Sequence, residues 1–596
     1  MKWFAALSLA AALVAGGCGR NRPEADFVFV SLDEHNFLDP QKISWLHDLR
    51  IAECLFEPLL RVDPKDLSIR PGAAERWETS DDGLQYTFYL RRDARWSNGD
   101  PVTTGDFIYA WRRALLPDMS ADYTQLLFCI KGARAFFDWR QQQLDGYAPG
   151  EGKAKSLWQQ AREHFTSTVG IEARDEHTLV VRLARPTPYF LELAAFVTFM
   201  PVHRASVDAT AGLNPNTGMR EDDATYWTDP ARLVSNGPYV LKRRRFKRDL
   251  LMIANAHYWN RTAMKNTSIL ERIMPEIQTA ILAYENGDVD WVSVPSGSEV
   301  AADLVAQDRV DVHKQAMAGI YFYNFNCMEN LPDGSANPLY DRRVRRALSM
   351  AIDRKMLVEQ VTRLKEPIAR TFVPAGALEQ YDPPTEAGIE FDPEQASSLL
   401  AEAGYHEDKE LKGLSILYNT GFGHEKIAQS IKRMWRHHLG VEVTLAGVEV
   451  RTFSKRLKDH QFTICRAGWF GDYLDPTTWL DKMATDNGNN DCAYSNPQYD
   501  ALLSRAAKET RPAERYEILR QAEATMLEDA PMALIHQYIN IDLYRPHQVT
   551  GLTANAWSRW RLDAVAVNRE QGTGKSRVGG TNLKSASGDR VATRDP

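Results

Sequence analysis

Residues 75–115 read ERWETSDDGLQYTFYLRRDARWSNGDPVTTGDFIYAWRRAL. Asp82-Gly83 is a hairpin turn signal, and Leu84, Tyr86, Phe88 and Leu90 alternate with polar neighbours as a half-buried strand does. Asn98-Gly99 marks a second turn. Thr103 and Asp106 then form a capping box, which predicts a helix carrying Phe107, Ala110, Trp111 and Ala114 on one face. Strand, turns and a capped helix in so short a stretch predict a mixed α/β body.

The pattern continues on both sides. Upstream, FVFVSL (27–32) is a β-rich run, and Ile43, Leu46, Cys54 and Leu55 have helical spacing up to Glu57-Pro58. Downstream, 171–183 reads as a strand pair and a helix follows Pro188. Residues 236–259 read as a hairpin, and 269–295 as strand, helix (Thr279 to Asn286) and strand. GIYFYNFN (319–326) is an aromatic strand. Strands at 414–418 and 441–445 flank a helix at 424–439, a β-α-β unit whose crossover should be right-handed. Residues 462–476 give a strand and an acidic, aromatic loop. NPQYDALLSRAAKE (496–509), a helix at 512–529 and a late strand at 533–544 complete the body.

Composition fits this reading. The 596 residues are 44% hydrophobic, 25% charged and 10% aromatic, in the globular range. This excludes a disordered, collagen-like or polytopic membrane chain, and a core of this size needs no disulfide or metal staple. Lys and Arg number 72 against 79 Asp and Glu, a net charge of −7 with no nucleic-acid footprint. The cluster Arg342, Arg343, Arg345 and Arg346 lies on one amphipathic helix and reads as its solvated face.

The two ends differ from the body. Lys2 and the apolar run Trp3 to Val14 fit a signal peptide and are too short to span a membrane. The run ends in Val14-Ala15-Gly16-Gly17-Cys18, which resembles the lipobox of bacterial lipoproteins. That resemblance implies lipid on Cys18 and a protein anchored to a membrane rather than crossing it. Residues 19–25 are a polar linker. Residues 567–596 are a polar tail with too little apolar surface to order itself. Its GTGKS (572–576) lacks the earlier glycine of a phosphate loop, Arg569 standing there, and no apolar strand leads into it. Cys54, Cys129, Cys327, Cys465 and Cys492 show no C-x-x-C pair or zinc spacing and read as buried thiols.

Taken together, the 75–115 stretch, NGPYVL (236–241), YW (258–259), GDVDW (287–291), RVRRALSMAIDR (343–354), LLAEAGY (399–405) and RAGWFGDYLDP (466–476) resemble one family in order. It is the family 5 extracellular solute-binding proteins, the oligopeptide- and dipeptide-binding lipoproteins of bacterial ABC importers. The resemblance runs from about residue 26 to 565. It implies a two-lobed periplasmic-binding-protein-like fold (type II, cluster C), with mixed sheets flanked by helices and an extra small domain. Lobe I would comprise 26–60, 187–295 and 535–566, the extra domain 61–186, and lobe II 296–534. It also implies an exported, monomeric receptor that closes its lobes on a short peptide and delivers it to an ABC permease, without cofactor or metal.

In the family, the Asp of the GW-x-x-D stretch holds the peptide ammonium; here it is Asp472. Gly468 and Phe470 match positions whose main chain pairs with the peptide. Trp45 and Leu46 match the opposing lobe I segment, and Trp469 and Tyr109 match aromatic contacts. Tyr538 on the late strand joins them. Some relatives bridge the residue before their Y-x-Y strand to the one after GW; those positions are Gly319 and Phe470 here, so that disulfide is absent. Val450 and Leu457 stand where relatives have Trp and Arg, which alters the side-chain pockets.

Two other readings compete with this one. Asp472 and Asp475 form a candidate carboxylate pair for hydrolysis, but no G-x-S-x-G or H-E-x-x-H frame accompanies them, and Asp475 before Pro476 reads as a turn residue. His437 and His438 are adjacent and point to different helix faces, a poor metal pair. The other rival is the same fold binding a cell-wall peptide, metal chelate, haem or sugar. Asp472 favours a ligand with an amino terminus.

Overall fold

A computed structural model describes residues 24–569 apart from 407, 408 and 486. Cys18, the signal segment and most of the tail lie outside the described residues. Ten strands form one continuous mixed sheet. Tyr239–Arg245, Asp249–Ala254 and Ser268–Ile273 pair antiparallel at one end. Phe27–Ser31 and Trp291–Val294 continue the sheet in parallel. At the other end Ile464–Phe470, Ser415–Asn419 and Thr444–Val448 run parallel. The last of these begins three residues later than its apolar start at Val441 predicts, because Val441 and Val443 serve the core before pairing starts.

Two long strands, Val312–Phe325 and Met532–Leu543, cross from one lobe to the other and pair antiparallel. Met532–Leu543 is buried along most of its length, whereas Val312–Phe325 is mostly half-buried as far as Met317 and buried from Ala318 onward. His313 to Ala316 pair with Ile539 to Asp542 beside the first lobe. Ile320 to Asn324 pair with Met532 to Gln537 beside the second, where Gly319 to Phe325 also pair with Ile464–Phe470. Between these ladders, Met317, Ala318 and Gly319 face the single residue Tyr538. Such a bulge breaks the ladder and bends the strand. Its polar groups are taken up locally: Ala318 N donates to Ala556 O (2.6 Å), Gly471 N to Ala318 O (2.9 Å) and Gln537 Nε2 to Met317 O (2.8 Å).

The stretch that opened the reading folds as expected. Gly83 and Gly99 take positive φ (65° and 95°) in their turns. Gln85–Leu90 sits inside a separate four-stranded antiparallel sheet with Ala74–Thr79, Thr178–Arg182 and Ile171–Asp175. The helix Thr104–Ala114 starts with both halves of the Thr103–Asp106 box in place, an arrangement worth about 1 kcal/mol. Phe107, Ala110, Trp111 and Ala114 enter the core that this sheet shares with the first lobe.

Two expectations change. The body extends beyond residue 566: Ala566–Val567 pairs with Val549–Thr550, Asn568 N donates to Gln548 O, and Arg569 binds Asp290 at 2.6 Å. The basic helix Arg342–Met350 is also less solvated than its charges imply. Arg345 is buried, its guanidinium donating to the carbonyls of Leu339, Tyr340, Asp529 and Ala530. Capping a neighbouring helix end explains one of the arginines that looked like a surface patch.

Candidate functional site

Ile464–Phe470 is the strand on which the site is built. It pairs along its whole length with Gly319–Phe325, but on its other edge only Ile464 and Cys465 have partners. The edge from Arg466 to Phe470 is therefore open to an added strand. Side chains alternate along it. Ala467 and Trp469 face the core of the second lobe, where the Trp469 indole N–H donates to Thr478 O at 2.7 Å. Arg466, Gly468 and Phe470 share the other face, under Tyr538.

Tyr538 ties this face together. Its ring stacks on Phe470 with centroids 4.7 Å apart, and its hydroxyl accepts from Arg466 at 2.8 Å. A Cβ on Gly468 would stand 2.5 Å from that hydroxyl, so glycine is what lets Tyr538 lie across the strand. Gly319 opposes Phe470 in the ladder, and a Cβ there would meet the Phe470 ring at 2.3 Å. The ring thus fills the place of the missing disulfide.

Past the strand, the chain turns at Gly471, packed between Trp479 and Trp557, and presents Asp472. Thr478 Oγ1 accepts from the Asp472 amide at 2.9 Å and fixes the turn. The Asp472 carboxylate accepts one hydrogen bond, from Tyr123 Oη at 3.1 Å. Burial pushes its pKa up to about 6, against the opposing pulls of the Tyr123 hydroxyl and Arg559. Among the described residues no cation lies within ion-pair distance of Asp472, Arg559 acting on it only from further off, and a carboxylate so placed favours a cation supplied by a ligand.

Asp472 lines a cavity of about 60 Å³ together with Leu46, Leu49, Arg50, Glu53, Tyr123 and Arg559. This volume holds a few waters and no peptide, so the lobes are drawn together here. Tyr189 and Tyr473 also meet across the gap, stacked at 4.3 Å. Leu46 opens the helix Leu46–Leu55 and reaches the cavity; Trp45, just before it, is 66% exposed and does not line it.

Tyr109 does not join this group. Its ring is buried, and its hydroxyl donates to Asp208 (2.7 Å) and accepts from Arg220 (2.8 Å). The amphipathic helix turns that face to the segment 204–220, which the sequence left open. Asp475 is held by Arg515 at 2.6 and 2.8 Å and accepts from the Thr477 amide, so it is a structural turn residue and makes no carboxylate pair with Asp472.

The sequence reading missed Tyr123, Arg559 and Arg466. Arg559 pairs with Glu53 at 2.8 Å; its signal was the aromatic, basic run WSRW (557–560) after the late strand. Arg466 had a plainer one, since it lies two residues before Gly468 on the same face. It is surrounded by Tyr321, Tyr538 and Asn419 Oδ1, its Nε has no partner, and no described carboxylate lies within ion-pair distance. A half-buried guanidinium with only neutral partners keeps hydrogen-bonding capacity that an anion would satisfy.

Behind the cavity, His35 is buried between Asp48 Oδ1 and Glu271 Oε2, both at 2.7 Å. Burial pulls its pKa down, but the two carboxylates prevail and lift it to about 10. With His47 and Asp48 its ligand atoms cluster within 4.8 Å. Both ring nitrogens of His35 are already taken by carboxylates, so His35, Asp48 and Glu271 read as an ion triad.

Residues 68–491 match the family described as bacterial extracellular solute-binding proteins, family 5. The chain belongs to that family. It is 33% identical over 524 residues to the periplasmic murein peptide-binding protein MppA of Escherichia coli, covering 86% of this chain and 88% of the relative. It is 31% identical to the oligopeptide-binding protein OppA of Bacillus subtilis, covering 81% and 82%. Among solved structures it is similar to the unliganded open form of MppA (TM-score 0.72, 31% identity, 91% and 98% covered). It is also similar to Haemophilus influenzae OppA in complex with RPPGFSPFR (TM-score 0.69, 27% identity, 91% and 99% covered). The family and these neighbours are binding proteins.

Proposed function

We propose that this protein is the receptor subunit of an ABC importer and captures short peptides between its lobes. The observation that carries this reading is Asp472, a carboxylate with a raised pKa and no cation of its own, at the end of an open strand edge. The peptide ammonium pairs with Asp472. Its main chain adds to the edge at Gly468 and Phe470, against the wall made by Leu46, Tyr538 and the indole of Trp469. Its carboxylate end meets Arg466. Trp45 is the exposed rim residue of the same approach. The receptor then passes the peptide to a permease as a monomer, held at the membrane by lipid on Cys18. The body divides as 26–60, 187–295 and 535–569 for lobe I, 61–186 for the extra domain and 296–534 for lobe II.

Calorimetry with a mixed peptide library tests this, together with mass spectrometry of whatever co-purifies. Saturable binding of free peptides supports the reading, and binding of none overturns it. The murein peptide-binding relative favours a second ligand, a cell-wall peptide; a murein tripeptide that outcompetes the library would select it. Metabolic labelling with a radioactive fatty acid tests Cys18, and label retained in Cys18→Ser would reject it.

A further inference from the structure

We infer that Cys327 and Cys492 form a disulfide when the protein meets a disulfide donor. Cys327 follows the second-lobe end of the crossing strand Val312–Phe325, and Cys492 lies in the loop before the helix Pro497–Ala506. The Cys327 amide donates to the Cys492 carbonyl at 2.8 Å. With standard covalent lengths, a backbone bond of this length keeps the two α-carbons within roughly 7 Å of each other, compatible with the ~4.4–6.8 Å window that a disulfide spans. The two thiols are close enough to act on each other's titration, while Cys327 Sγ donates to Phe325 O and Cys492 Sγ to Asn490 Oδ1, both at 3.4 Å. Cys54, Cys129 and Cys465 are buried singly on other elements.

The two sulfurs differ in a way that orders the reaction. Cys327 is partly exposed, whereas Cys492 is buried. Cys327 is thus the attacking thiolate. It displaces one sulfur of a donor disulfide, such as an exported dithiol oxidase or oxidised glutathione, and forms a mixed disulfide. Cys492 loses its proton, attacks the Cys327 sulfur and expels the second donor sulfur. Two protein thiols and one donor disulfide become one protein disulfide and two donor thiols, which keep the two protons. The donor is reduced by the two electrons that the protein gives up.

The bridge fastens the crossing strand to the loop that positions Lys482. That ammonium pairs with Asp491 at 2.8 Å and stands 4.7 Å over the Trp469 ring. The loop it closes, from 327 to 492, is long, the case in which a crosslink restricts the unfolded chain most. The inference is independent of the peptide reading.

The full chain is purified without reductant, equilibrated with oxidised glutathione, denatured and alkylated, then digested for mass spectrometry. The expected result is one linked species joining the Cys327 and Cys492 peptides, released by dithiothreitol, with Cys54, Cys129 and Cys465 alkylated. Dithiothreitol should also lower the thermal midpoint of this protein and leave that of Cys327→Ser unchanged. Alkylation of Cys327 and Cys492 after donor treatment, or a link between another pair, overturns the inference. Because the first readout uses the unmutated chain, a variant that folds poorly does not affect it.

Discussion

Tyr123 Oη donates to Asp472 Oδ1 at 3.1 Å across 349 residues of sequence, one group from each side of the cleft. The phenol stands where a ligand's charged donor would be stronger, since a charge-assisted bond is roughly twice a neutral one. Asp472→Asn keeps the shape and removes the charge. Truncating one partner of a buried charge pair costs roughly 2–5 kcal/mol. We expect peptide affinity to fall accordingly by calorimetry, and N-acetylated peptides to bind the native protein as weakly as free peptides bind the variant. Equal binding of acetylated and free peptides by the native protein would refute the role.

The raised pKa of Asp472 fixes the direction of a pH effect. With the folded value at about 6 and the unfolded one near ~3.9, the unliganded folded state binds more protons than the unfolded state in between. This group's contribution to stability therefore rises as pH falls through that window. Peptide binding moves the other way, because the ammonium needs the carboxylate. Affinity measured from about pH 7.5 to about pH 5 should drop below 6 in the native protein, and the drop should vanish in Asp472→Asn.

How far the sequence could reach differs between fold and site. Local chemistry carried the fold: the Thr103 box, the Asp82-Gly83 turn and the alternation of Leu84 to Leu90 all lie within a few residues of one another. Gly468, Phe470 and Asp472 were legible because RAGWFGDYLDP (466–476) resembles the family's GW-x-x-D stretch, not because their spacing announced a site. Tyr109 was not, since an amphipathic helix leaves its rotation to whatever packs on it, here Asp208 and Arg220. Tyr123 and Arg559 reach Asp472's cavity from remote segments; WSRW (557–560) marks Arg559 as unusual, but neither segment tells which distant carboxylate it will approach. The long strand Val312–Phe325 was read only from Gly319, because its first half is partly exposed and less regular in hydrophobicity.

The His35 triad makes a stability prediction. Glu271 Oε1 is already buried without a partner, so removing the imidazolium leaves two buried carboxylates uncompensated. His35→Gln should cost ~3–5 kcal/mol, read as a lower urea midpoint. The folded pKa of about 10 lies above the unfolded ~6.5. The stabilisation is therefore complete below the lower value and is lost as pH rises towards the higher. Native protein should weaken between these limits by more than His35→Gln does; parallel curves would contradict the charged triad.

Arg466 is the complementary test at the other end of the ligand. Its guanidinium lies among the Tyr321 ring, the Tyr538 hydroxyl and Asn419, with Nε unpaired. A peptide carboxylate would satisfy it, whereas an amidated terminus offers a neutral acceptor and two donors that oppose its own. Native protein should bind free-acid peptides more tightly than their C-terminal amides, by roughly tenfold or more for one charge-assisted bond of 1.5–3 kcal/mol. Arg466→Met fills the same volume without charge and should erase that preference while leaving the penalty for N-acetylation intact. If both penalties disappear together, the substitution has disturbed Tyr538 and the strand face as a whole; if the amide preference survives, the carboxylate is held elsewhere.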